Sequence, residues 1–479
     1  MIRRLIFPLV LAILAIGLFM QSKAADKDAD RPALVASEPA PSRLSTPLLS
    51  ARRLPEQLQT PEANRRLVAS LDEIVGGLPE QSCFTVVEGG EIRYEHRSSS
   101  ALIPASTQKL ITAVAALEEF GTDYTFKTQV FAQSESSDGV IDGNVWLVGG
   151  GDPLLMTSDY AERYLDVFPY TDLEDLAEQL IEGGINTITG AVIGDETYFN
   201  QIRWVESWPE RFRAGAQNQT GPLSALSVND GFVNWDAENT ANSLNIPAAE
   251  PAQFAAALFD DLLEERAVRI FQSAYADELP IDAIIKLGEV ESPPVSELVK
   301  QMLQTSDNTT AEILVKALGA HSGSDGSTNS GRQVIEEIVA SLATDASSLA
   351  VFDGSGLDPA NRVSCSTLVE LLQDEKFSSD LRTGLAVAGE SGTLRNRLVG
   401  SSAEGRLFGK TGTLNDVKSL AGIVYTLEDR TLTFALISNA DPMPSDVLEV
   451  HDQLILDLVA YPTGPPLSLL VPIPVVVTN

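Results

Sequence analysis

Apolar residues recur every three or four positions in several stretches of the chain, which is the spacing of one buried helix face. One such stretch runs from Pro61 to about Val75, and another begins after Pro104 and ends at Gly121. The second helix carries Ser106 and Lys109 in its first turn. The same spacing predicts further helices at residues 173–181, 298–306 and 310–318.

Short apolar and β-branched runs bounded by turn residues predict strands. Cys83–Val87 and Ile92–Tyr94 flank a Gly-Gly turn and predict a hairpin. Three later runs predict strands at Arg406–Gly412, Ser419–Tyr425 and Thr431–Ile437. We expect the hairpin and these strands to share one antiparallel sheet flanked by helices. Between the two sets, residues 321–332 are rich in glycine and serine and predict a loop.

The pattern changes between residues 126 and 284, where short strands alternate with glycine-rich turns. Residues 128–284 hold 27 Asp and Glu, six Arg and no Lys, which gives this segment −21 of the chain's net charge of −34. A segment with its own composition predicts an inserted β-rich domain at 126–284, which divides the surrounding domain into 61–125 and 285–460. We interpret its acidity as a solvated surface rather than a ligand site.

The first 24 residues have the pattern of an export signal. Two arginines precede an apolar run over Leu5–Met20, and small residues at 22–24 would permit cleavage. Sixteen residues are fewer than the roughly 20 that span a bilayer, although an uncleaved signal that tethers the protein to the membrane stays open. Residues 25–60 are rich in Pro, Ala, Ser and charge and predict a flexible linker. Residues 461–479 hold five prolines and predict an extended tail.

The two cysteines, Cys83 and Cys365, bear on whether the protein folds in an oxidising compartment outside the cytoplasm. An exported chain with an even number of cysteines permits one disulfide. Two separate buried thiols would fit the sequence equally well, because a free cysteine behaves as a small apolar residue. Both interpretations stay open.

Charge and histidine content exclude several classes of protein. The chain has 33 Lys and Arg against 67 Asp and Glu, whereas nucleic acids and anionic membrane surfaces attract clustered basic residues. His96, His321 and His451 lie far apart and match no metal-binding spacing. We therefore expect no nucleic-acid partner, no metal and no cofactor.

Three short motifs carry the candidate chemistry: Ser106–Lys109 (Ser-Thr-Gln-Lys), Ser306–Asn308 (Ser-Asp-Asn) and Lys410–Thr413 (Lys-Thr-Gly-Thr). A serine three residues before a lysine on a helix places hydroxyl and amine on one face. The serine becomes a strong nucleophile only when a base accepts its proton. A lysine amine can be that base once burial or a second cation lowers its pKa, and Lys410 is a candidate for the second cation.

Each motif taken alone is weak evidence for an active site. Ser106 could be only a helix N-cap, Ser306–Asn308 an ordinary capping turn, and Lys410–Thr413 part of a strand and turn. The three motifs together are much stronger evidence for an active site. Of the ten lysines, Lys109 alone has a serine three positions before it, and the other two motifs follow in order along the chain.

The triple of motifs resembles that of the penicillin-recognising serine transferases and class A β-lactamases. More of the chain is similar to the low-molecular-mass, class C penicillin-binding proteins of the D-alanyl-D-alanine carboxypeptidase/endopeptidase family, peptidase family S13. The segments that carry this resemblance are Pro104–Leu110, Gly149–Pro153, Asp353–Leu357, Asn361–Ser364 and Gly392–Arg397. It implies an α/β (α+β) fold: a transpeptidase-like domain with an antiparallel sheet flanked by helices, interrupted by an insertion between the first two motifs.

The resemblance also implies acyl transfer on the D-Ala-D-Ala terminus of peptidoglycan stem peptides, in the periplasm or extracellular cell envelope of a bacterium. Ser106 would be the nucleophile and Lys109 its base. Ser306 and Lys410 would relay the proton to the leaving D-alanine, and Asn308 would hold the peptide amide. β-Lactams would acylate Ser106 as inhibitors, because they mimic the peptide.

The substrate-binding residues that the resemblance implies are Asp307, Thr411, Gly412 and Thr413. Lys410, Thr411 and Thr413 would grip the terminal carboxylate, as a local positive site in a negative protein. The backbone N–H groups of Ser106 and Thr413 would form the oxyanion hole.

The sequence departs from the family in one respect. The family usually carries two inserted subdomains. Here only Asn234–Ile246 separates the end of the first, near residues 227–229, from the sequence that rejoins the main domain. We therefore expect the second subdomain to be reduced or missing, with the catalytic motifs unaffected.

Other functions share some of these sequence features. A serine β-lactamase shares the motifs and differs in rapid turnover of the acyl-enzyme, but the 200 positions between Ser106 and Ser306 count against it. A catalytically silent cell-wall-binding or sensor module stays open, although an intact Ser106 and Lys109 disfavour it. A nucleotide-binding P-loop at Gly409–Thr411 fails, because its first glycine would fall on Glu404.

Overall fold

The computed structural model describes residues 43–44, 55–163, 168–213, 218–235, 245–344, 346–462 and 474–475. The predicted signal and most of the predicted linker and tail lie outside these residues. Two short segments, Arg43–Leu44 and Pro474–Val475, pair as antiparallel strands in a unit of their own. In the part of the chain that is described, no helix combines the length and the apolar character needed to cross a bilayer.

The described residues form both strands and helices, with a run of helices between residues 295 and 384. The strands are β1 Arg43–Leu44, β2 Gln81–Glu88, β3 Glu91–His96, β4 Lys127–Ala132, β5 Val140–Ile141, β6 Val145–Gly149, β7 Leu155–Met156, β8 Thr171–Asp172, β9 Thr187–Ile188, β10 Val192–Asp195, β11 Phe232–Asn234, β12 Ile246–Pro247, β13 Arg269–Ile270, β14 Tyr275–Ala276, β15 Ile285–Glu291, β16 Ala386–Val387, β17 Leu407–Leu414, β18 Val417–Tyr425, β19 Thr431–Asn439 and β20 Pro474–Val475. The α-helices are α1 Pro55–Val75, α2 Gln108–Phe120, α3 Ser158–Ala161, α4 Leu173–Glu182, α5 Pro251–Glu265, α6 Val295–Thr305, α7 Asn308–His321, α8 Thr328–Leu342, α9 Cys365–Gln373, α10 Ser378–Gly384 and α11 Val447–Ala460.

The main sheet has six antiparallel strands in the order β16-β17-β18-β19-β2-β3. The predicted hairpin, β2–β3, joins the C-terminal strands through β19, where Phe434 pairs with Val86. The strand β17, which carries Lys410–Thr413, pairs with β18 along its whole length. The predicted fold, one antiparallel sheet flanked by helices, is confirmed.

Helices cover both faces of the main sheet, which explains why its central strands are nearly continuous apolar runs. On one face, Phe84 and Phe434 pack with helices α1 and α11. On the other face, Cys83 and Ile437 pack with α2, α6, α7 and α9. Because successive side chains of a strand point to opposite faces, neighbouring residues of β2 belong to different cores.

A disulfide joins Cys83 in β2 to Cys365 at the start of α9, and both residues are buried. The sequence left this pairing open, and the structure contains the bond. It links positions 282 residues apart and ties the main sheet to the helices on one of its faces.

We expect the double variant Cys83→Ala/Cys365→Ala to lose about 2–5 kcal/mol of the free energy of unfolding, because the cross-link no longer restricts the unfolded chain. Chemical denaturation of the variant and of the oxidised wild type measures the difference. Wild type unfolded in the presence of a reductant should move toward the variant. Equal stability of the variant and the oxidised wild type would contradict this prediction.

The segment predicted as an insertion has a hydrophobic core of its own. The strands by which the chain enters and leaves it, β4 and β15, pair antiparallel, so the two connections lie side by side. They belong to a five-stranded sheet, β14-β10-β6-β4-β15, whose core includes Leu176 of α4 and Phe259 of α5. The domain boundaries stay predictions, because this segment and the main sheet fall within one compact unit.

Several helices differ from the predicted pattern, among them α1, α8 and α5. Helix α1 begins at Pro55, six residues before the predicted start and within the predicted linker. Helix α8 begins at Thr328 and shortens the predicted loop, because the Ser327 side chain caps it by accepting from Ser330 N–H. Helix α5 lies in the insertion, where the pattern indicated short strands. Its alanine-rich face packs in the insertion core.

Candidate active site

Ser106 lies in a single 3₁₀ turn, Ala105–Thr107, immediately before helix α2. Ala105 has a left-handed backbone with φ +48°, which is uncommon for a residue with a Cβ atom and recurs at functional sites. Thr107 Oγ1 donates to the Pro104 carbonyl at 2.7 Å and fixes the turn. Ala105 and Thr107 are buried whereas Ser106 is partly exposed, so the turn presents the serine to the surface of a cleft.

Lys109 is fully buried one turn further along, as the spacing predicts. Its Nζ atom lies 3.2 Å from Ser106 Oγ, 2.6 Å from Asn308 Oδ1 and 2.8 Å from the Ser355 carbonyl oxygen. Burial lowers the pKa of Lys109 to about 8, against the opposing effect of the carboxylates of Asp353, Glu312 and Asp307. A usable fraction of the amine is therefore neutral near neutral pH.

The three partners of Lys109 orient a neutral amine. The Asn308 Oδ1 atom and the Ser355 carbonyl can only accept hydrogen bonds, so they take the two N–H groups. The lone pair is then left for the third partner, the Ser106 hydroxyl. This arrangement suits removal of the proton from Ser106.

Lys410 forms a second lysine–serine pair with Ser306. It is fully buried on β17, and its Nζ atom donates to Ser306 Oγ and to the Thr411 carbonyl, each at 2.8 Å. Burial holds the pKa of Lys410 well below its usual range, and the nearby Lys109 lowers it further. Ser306 has a left-handed backbone at the end of α6, with φ +63°.

The Ser-Asp-Asn motif occupies the turn between α6 and α7. Asn308 is the first residue of α7 and faces Lys109. Asp307 differs from its predicted substrate-binding role, because both of its carboxylate oxygens are engaged within the helix pair. One accepts from the Thr310 N–H as the N-cap of α7, and the other accepts from Gln301 Nε2 at 2.9 Å. We therefore assign Asp307 to the shape of the turn.

Gly412 lets β17 lie against the nucleophile. A Cβ atom at this position would be 2.1 Å from Ser419 Oγ and 2.8 Å from the Pro104 carbonyl oxygen, closer than real Cβ atoms approach their neighbours, and only 3.0 Å from the Ser106 nitrogen. Glycine is therefore required by the contact itself. On the same strand Thr413 is exposed, and Thr411 Oγ1 donates to Thr393 Oγ1 at 2.7 Å.

A cleft of about 1260 Å³ opens in front of the nucleophile. The predicted site residues that line it are Ser106, Ser306, Asn308, Thr411, Gly412 and Thr413. Lys109 and Lys410 are buried behind this lining. The wall also contains Arg211, Arg397 and Lys418, together with two aspartates, in a chain with a net charge of −34. The cleft therefore offers cations to an anionic substrate.

Two residues that the motifs did not indicate support Lys109. The Ser355 carbonyl binds its amine, and Glu312 Oε1 accepts from the N–H groups of Gly354 at 3.0 Å and Ser355 at 2.7 Å. Burial, and next the nearby Asp353, raise the pKa of Glu312 to about 8. The position of Glu312 four residues after Asn308, on one helix face, is the sequence signal that points toward the site.

We expect the rate of Ser106 acylation to rise with pH through about 8 and then to level off. The pKa of Lys109 is lowered, so the neutral base predominates above that pH and is protonated below it. Stopped-flow acylation by a chromogenic β-lactam between pH 6 and 9.5 measures this, with circular dichroism as the check of folding. A rate that is flat or falls over this range would exclude Lys109 as the base.

The site combines a serine–lysine pair at the start of a helix, a second serine–lysine pair and a Lys-Thr-Gly strand on an antiparallel sheet flanked by helices. This combination is typical of active-site-serine acyl transferases. The family model for the D-Ala-D-Ala carboxypeptidase 3 (S13) family matches residues 67–243 and 236–457, and the chain belongs to that family. The family expected from the sequence is confirmed.

Particular relatives agree with this assignment. The chain is 29% identical over 442 residues to a D-alanyl-D-alanine carboxypeptidase of Actinomadura sp. (strain R39), over 78% of this chain and 79% of that protein. It is 28% identical over 450 residues to carboxypeptidase DacB of Mycolicibacterium smegmatis, over 91% of both chains. Penicillin binding protein 4 (dacB) from Haemophilus influenzae has a TM-score of 0.68 at 21% identity, over 81% of this chain and 98% of that one, which confirms the fold class.

Proposed function

We propose that the protein is a serine-type D-Ala-D-Ala carboxypeptidase/endopeptidase that acts on peptidoglycan stem peptides through an acyl-enzyme at Ser106. The position of Lys109 carries the proposal. Its buried amine lies 3.2 Å from the Ser106 hydroxyl, and its other two partners are pure acceptors. Family membership and the names of the curated relatives support the choice of substrate.

In acylation, Ser106 Oγ attacks the carbonyl carbon of the penultimate D-alanine while neutral Lys109 takes the hydroxyl proton. A C–O bond forms, and the C–N bond to the terminal D-alanine then breaks. The leaving nitrogen must gain a proton. We assign the return of the proton from Lys109 to Ser306, which lines the cleft with Ser106 and is hydrogen-bonded to Lys410 at 2.8 Å.

The developing negative charge needs donors at the carbonyl oxygen. We assign these to the N–H groups of Ser106 and Thr413, which Gly412 allows to approach each other. The substrate's terminal carboxylate is assigned to the hydroxyl groups of Thr411 and Thr413 in the cleft, with Lys410 buried behind them.

Water then attacks the ester carbon, the bond to Ser106 Oγ breaks, and the serine recovers its proton. A β-lactam follows the same first step, but its leaving nitrogen stays attached through the opened ring. The acyl-enzyme that results is expected to hydrolyse slowly, so β-lactams act as inhibitors.

Carboxypeptidase and endopeptidase reactions share these steps and differ in the leaving amine. It is D-alanine in the first reaction and the side-chain amine of a cross-linked neighbour in the second. The wall of the cleft runs from Arg211 and Phe212 of the insertion to Thr413 and Asp441 of the main domain. A volume of about 1260 Å³ has room for a branched peptide, which favours both reactions.

We further propose export to the bacterial cell envelope, in the periplasm or outside the cell, where the substrate is found. The Cys83–Cys365 disulfide supports this proposal, because disulfides persist in oxidising compartments. An uncleaved signal would add a membrane tether. Cell fractionation with N-terminal sequencing tests both points. A soluble cytoplasmic protein with an intact N-terminus would contradict the proposal.

The test of the activity is release of D-alanine from a stem pentapeptide and cleavage of a cross-linked stem-peptide dimer, measured beside penicillin hydrolysis. We expect D-alanine release and a stable one-to-one penicillin adduct. Rapid penicillin hydrolysis without D-alanine release would make the protein a serine β-lactamase. A folded protein that shows neither reaction would be a silent cell-wall-binding or sensor module.

A further inference from the structure

Part of the insertion contacts the elements that hold the candidate base. This part, residues 200–213 and 218–219, is here called the bridging segment. Its partners in the main domain are helix α7 and the loop 353–358. The contacts are Lys316 with the carbonyls of Asn200 and Ile202, Asp358 with Ser207, Asp353 with Trp208, and Asn308 with Gln219.

Trp208 supplies a donor to a buried carboxylate. Its Nε1 atom donates to Asp353 Oδ2 at 2.8 Å, and both side chains are buried. The same carboxylate accepts from the N–H groups of Gly356 at 2.8 Å and Asp358 at 2.6 Å, and from Asn361 Nδ2 at 2.7 Å. Asp353 therefore shapes the loop 353–358 around its own side chain, with Trp208 as the donor from the insertion.

The loop presents the Ser355 carbonyl to Lys109 at 2.8 Å. Asp353 shapes the loop on one side of this carbonyl, and Glu312 binds the N–H groups of Gly354 and Ser355 on the other. A loop fixed in this way holds one of the two acceptors that orient the neutral amine of Lys109.

The second acceptor, Asn308 Oδ1, is oriented from the bridging segment as well. Asn308 Nδ2 donates to the Gln219 carbonyl at 3.0 Å, and Gln219 N–H donates to the Phe212 carbonyl at 2.9 Å. A flipped amide would place its NH₂ group against the amine of Lys109 and its oxygen against the Gln219 carbonyl. The bridging segment therefore selects the productive orientation of Asn308.

We propose that the insertion positions the general base, and that Trp208 is the positioning residue through which it acts on Lys109. The proposal rests on the proposed role of Lys109 as the base. Trp208 is buried and lies outside the lining of the catalytic cleft, so it acts through Asp353 and the Ser355 carbonyl. The insertion thus has a function in acylation that is separate from its acidic surface.

The charges around Lys109 predict how the loss of the Trp208 hydrogen bond changes the pH dependence of acylation. The carboxylates that act on Lys109 are Asp353, Glu312 and Asp307, and Lys410 is the neighbouring amine. Burial raises the pKa of Asp353, and the hydrogen bond from Trp208 opposes that rise. Without the indole N–H, Asp353 carries less negative charge, so the pKa of Lys109 falls. The pH midpoint of the acylation rate therefore moves to lower pH.

The test compares Trp208→Phe with two control variants in single-turnover acylation by a penicillin from pH 6 to 9.5. Trp208→Phe keeps an apolar ring and removes the N–H. Trp204→Phe makes the same substitution in the same apolar cluster. Ser207→Ala removes a neighbouring contact of the bridging segment, the one to Asp358. Each experiment yields a maximal acylation rate, a half-saturating concentration and a pH midpoint.

We expect Trp208→Phe to lower the maximal acylation rate about 10-fold, as the loss of a hydrogen bond to a charged group does. Its pH midpoint should fall below that of wild type, with an unchanged half-saturating concentration. Both controls should keep the wild-type midpoint. A wild-type rate and midpoint in Trp208→Phe would overturn the proposal, as would an equal loss of rate in all three variants without a shift in midpoint.

Asp353→Asn gives a second measurement that does not depend on Trp208→Phe folding. It keeps the size of the side chain and removes the charge, so its midpoint must also move to lower pH. An unchanged midpoint in folded Asp353→Asn would overturn the proposal. Wild-type protein that is not acylated at all would instead refute the proposed function itself.

Discussion

Ser106→Ala is expected to release D-alanine from a stem pentapeptide about 10⁴-fold more slowly than wild type, or slower still, and to form no penicillin adduct. The variant lacks the hydroxyl that Lys109 contacts and that forms the acyl bond in the proposed mechanism, whereas the cleft and Lys109 stay in place. D-alanine release coupled to a D-amino-acid oxidase measures the first effect, and intact mass measures the second.

The matched control is Ser99→Ala, which makes the same substitution at an exposed serine seven residues earlier. It should keep wild-type activity and labelling. A Ser106→Ala variant that still forms a covalent penicillin adduct would place the nucleophile elsewhere and would remove the basis of the mechanism.

Lys109→Met is expected to lower the rate of acylation about 10³-fold, within the range that a general base contributes. Methionine fills most of the buried volume of the lysine but has no amine to take the proton of Ser106. The residual rate should no longer rise with pH through about 8, the pKa of Lys109. Stopped-flow acylation by a penicillin gives both quantities.

Lys376→Met is the control for this variant, because Lys376 is an exposed lysine paired with Glu118 of α2, the helix that carries Lys109. It should acylate as wild type does. A folded Lys109→Met variant that keeps both the rate and the pH dependence of wild type would show that another group is the base.

The main sheet could be predicted because its central strands are buried on both faces. Such strands form continuous apolar runs, and the predicted runs at Cys83–Val87, Ser419–Tyr425 and Thr431–Ile437 all lie within observed strands. Helix α5 of the insertion could not be predicted in the same way. Its face packs in the insertion core, against the strands β10, β13 and β14, which are only two to four residues long and give little pattern of their own.

The convergence of the three motifs was implied by their order and by the resemblance, not by local pattern. Ser106, Ser306 and Lys410 lie far apart along the chain, and the main sheet with its helices brings them together. Asp307 shows the limit of motif reasoning. An aspartate before a helix is also a strong N-cap signal, and the structure uses it as the cap of α7.

The parts of the site that the sequence could not reveal are backbone groups. The Ser355 carbonyl binds Lys109, and the Gln219 carbonyl orients Asn308. Every residue type has a carbonyl, so neither contact leaves a side-chain signal in the sequence. Trp208 was missed for a related reason, since its role depends on a fold that brings the insertion against the loop 353–358.

Mapping of the penicillin adduct on the wild-type protein tests the central claim most directly. The protein is labelled with a fluorescent penicillin, weighed intact, digested with trypsin and sequenced by fragmentation. We expect one adduct per chain, on the peptide Ser98–Lys109 and within it on Ser106 rather than on Ser98, Ser99 or Ser100. An adduct on another residue, or no adduct on a folded protein, would contradict a mechanism that proceeds through Ser106.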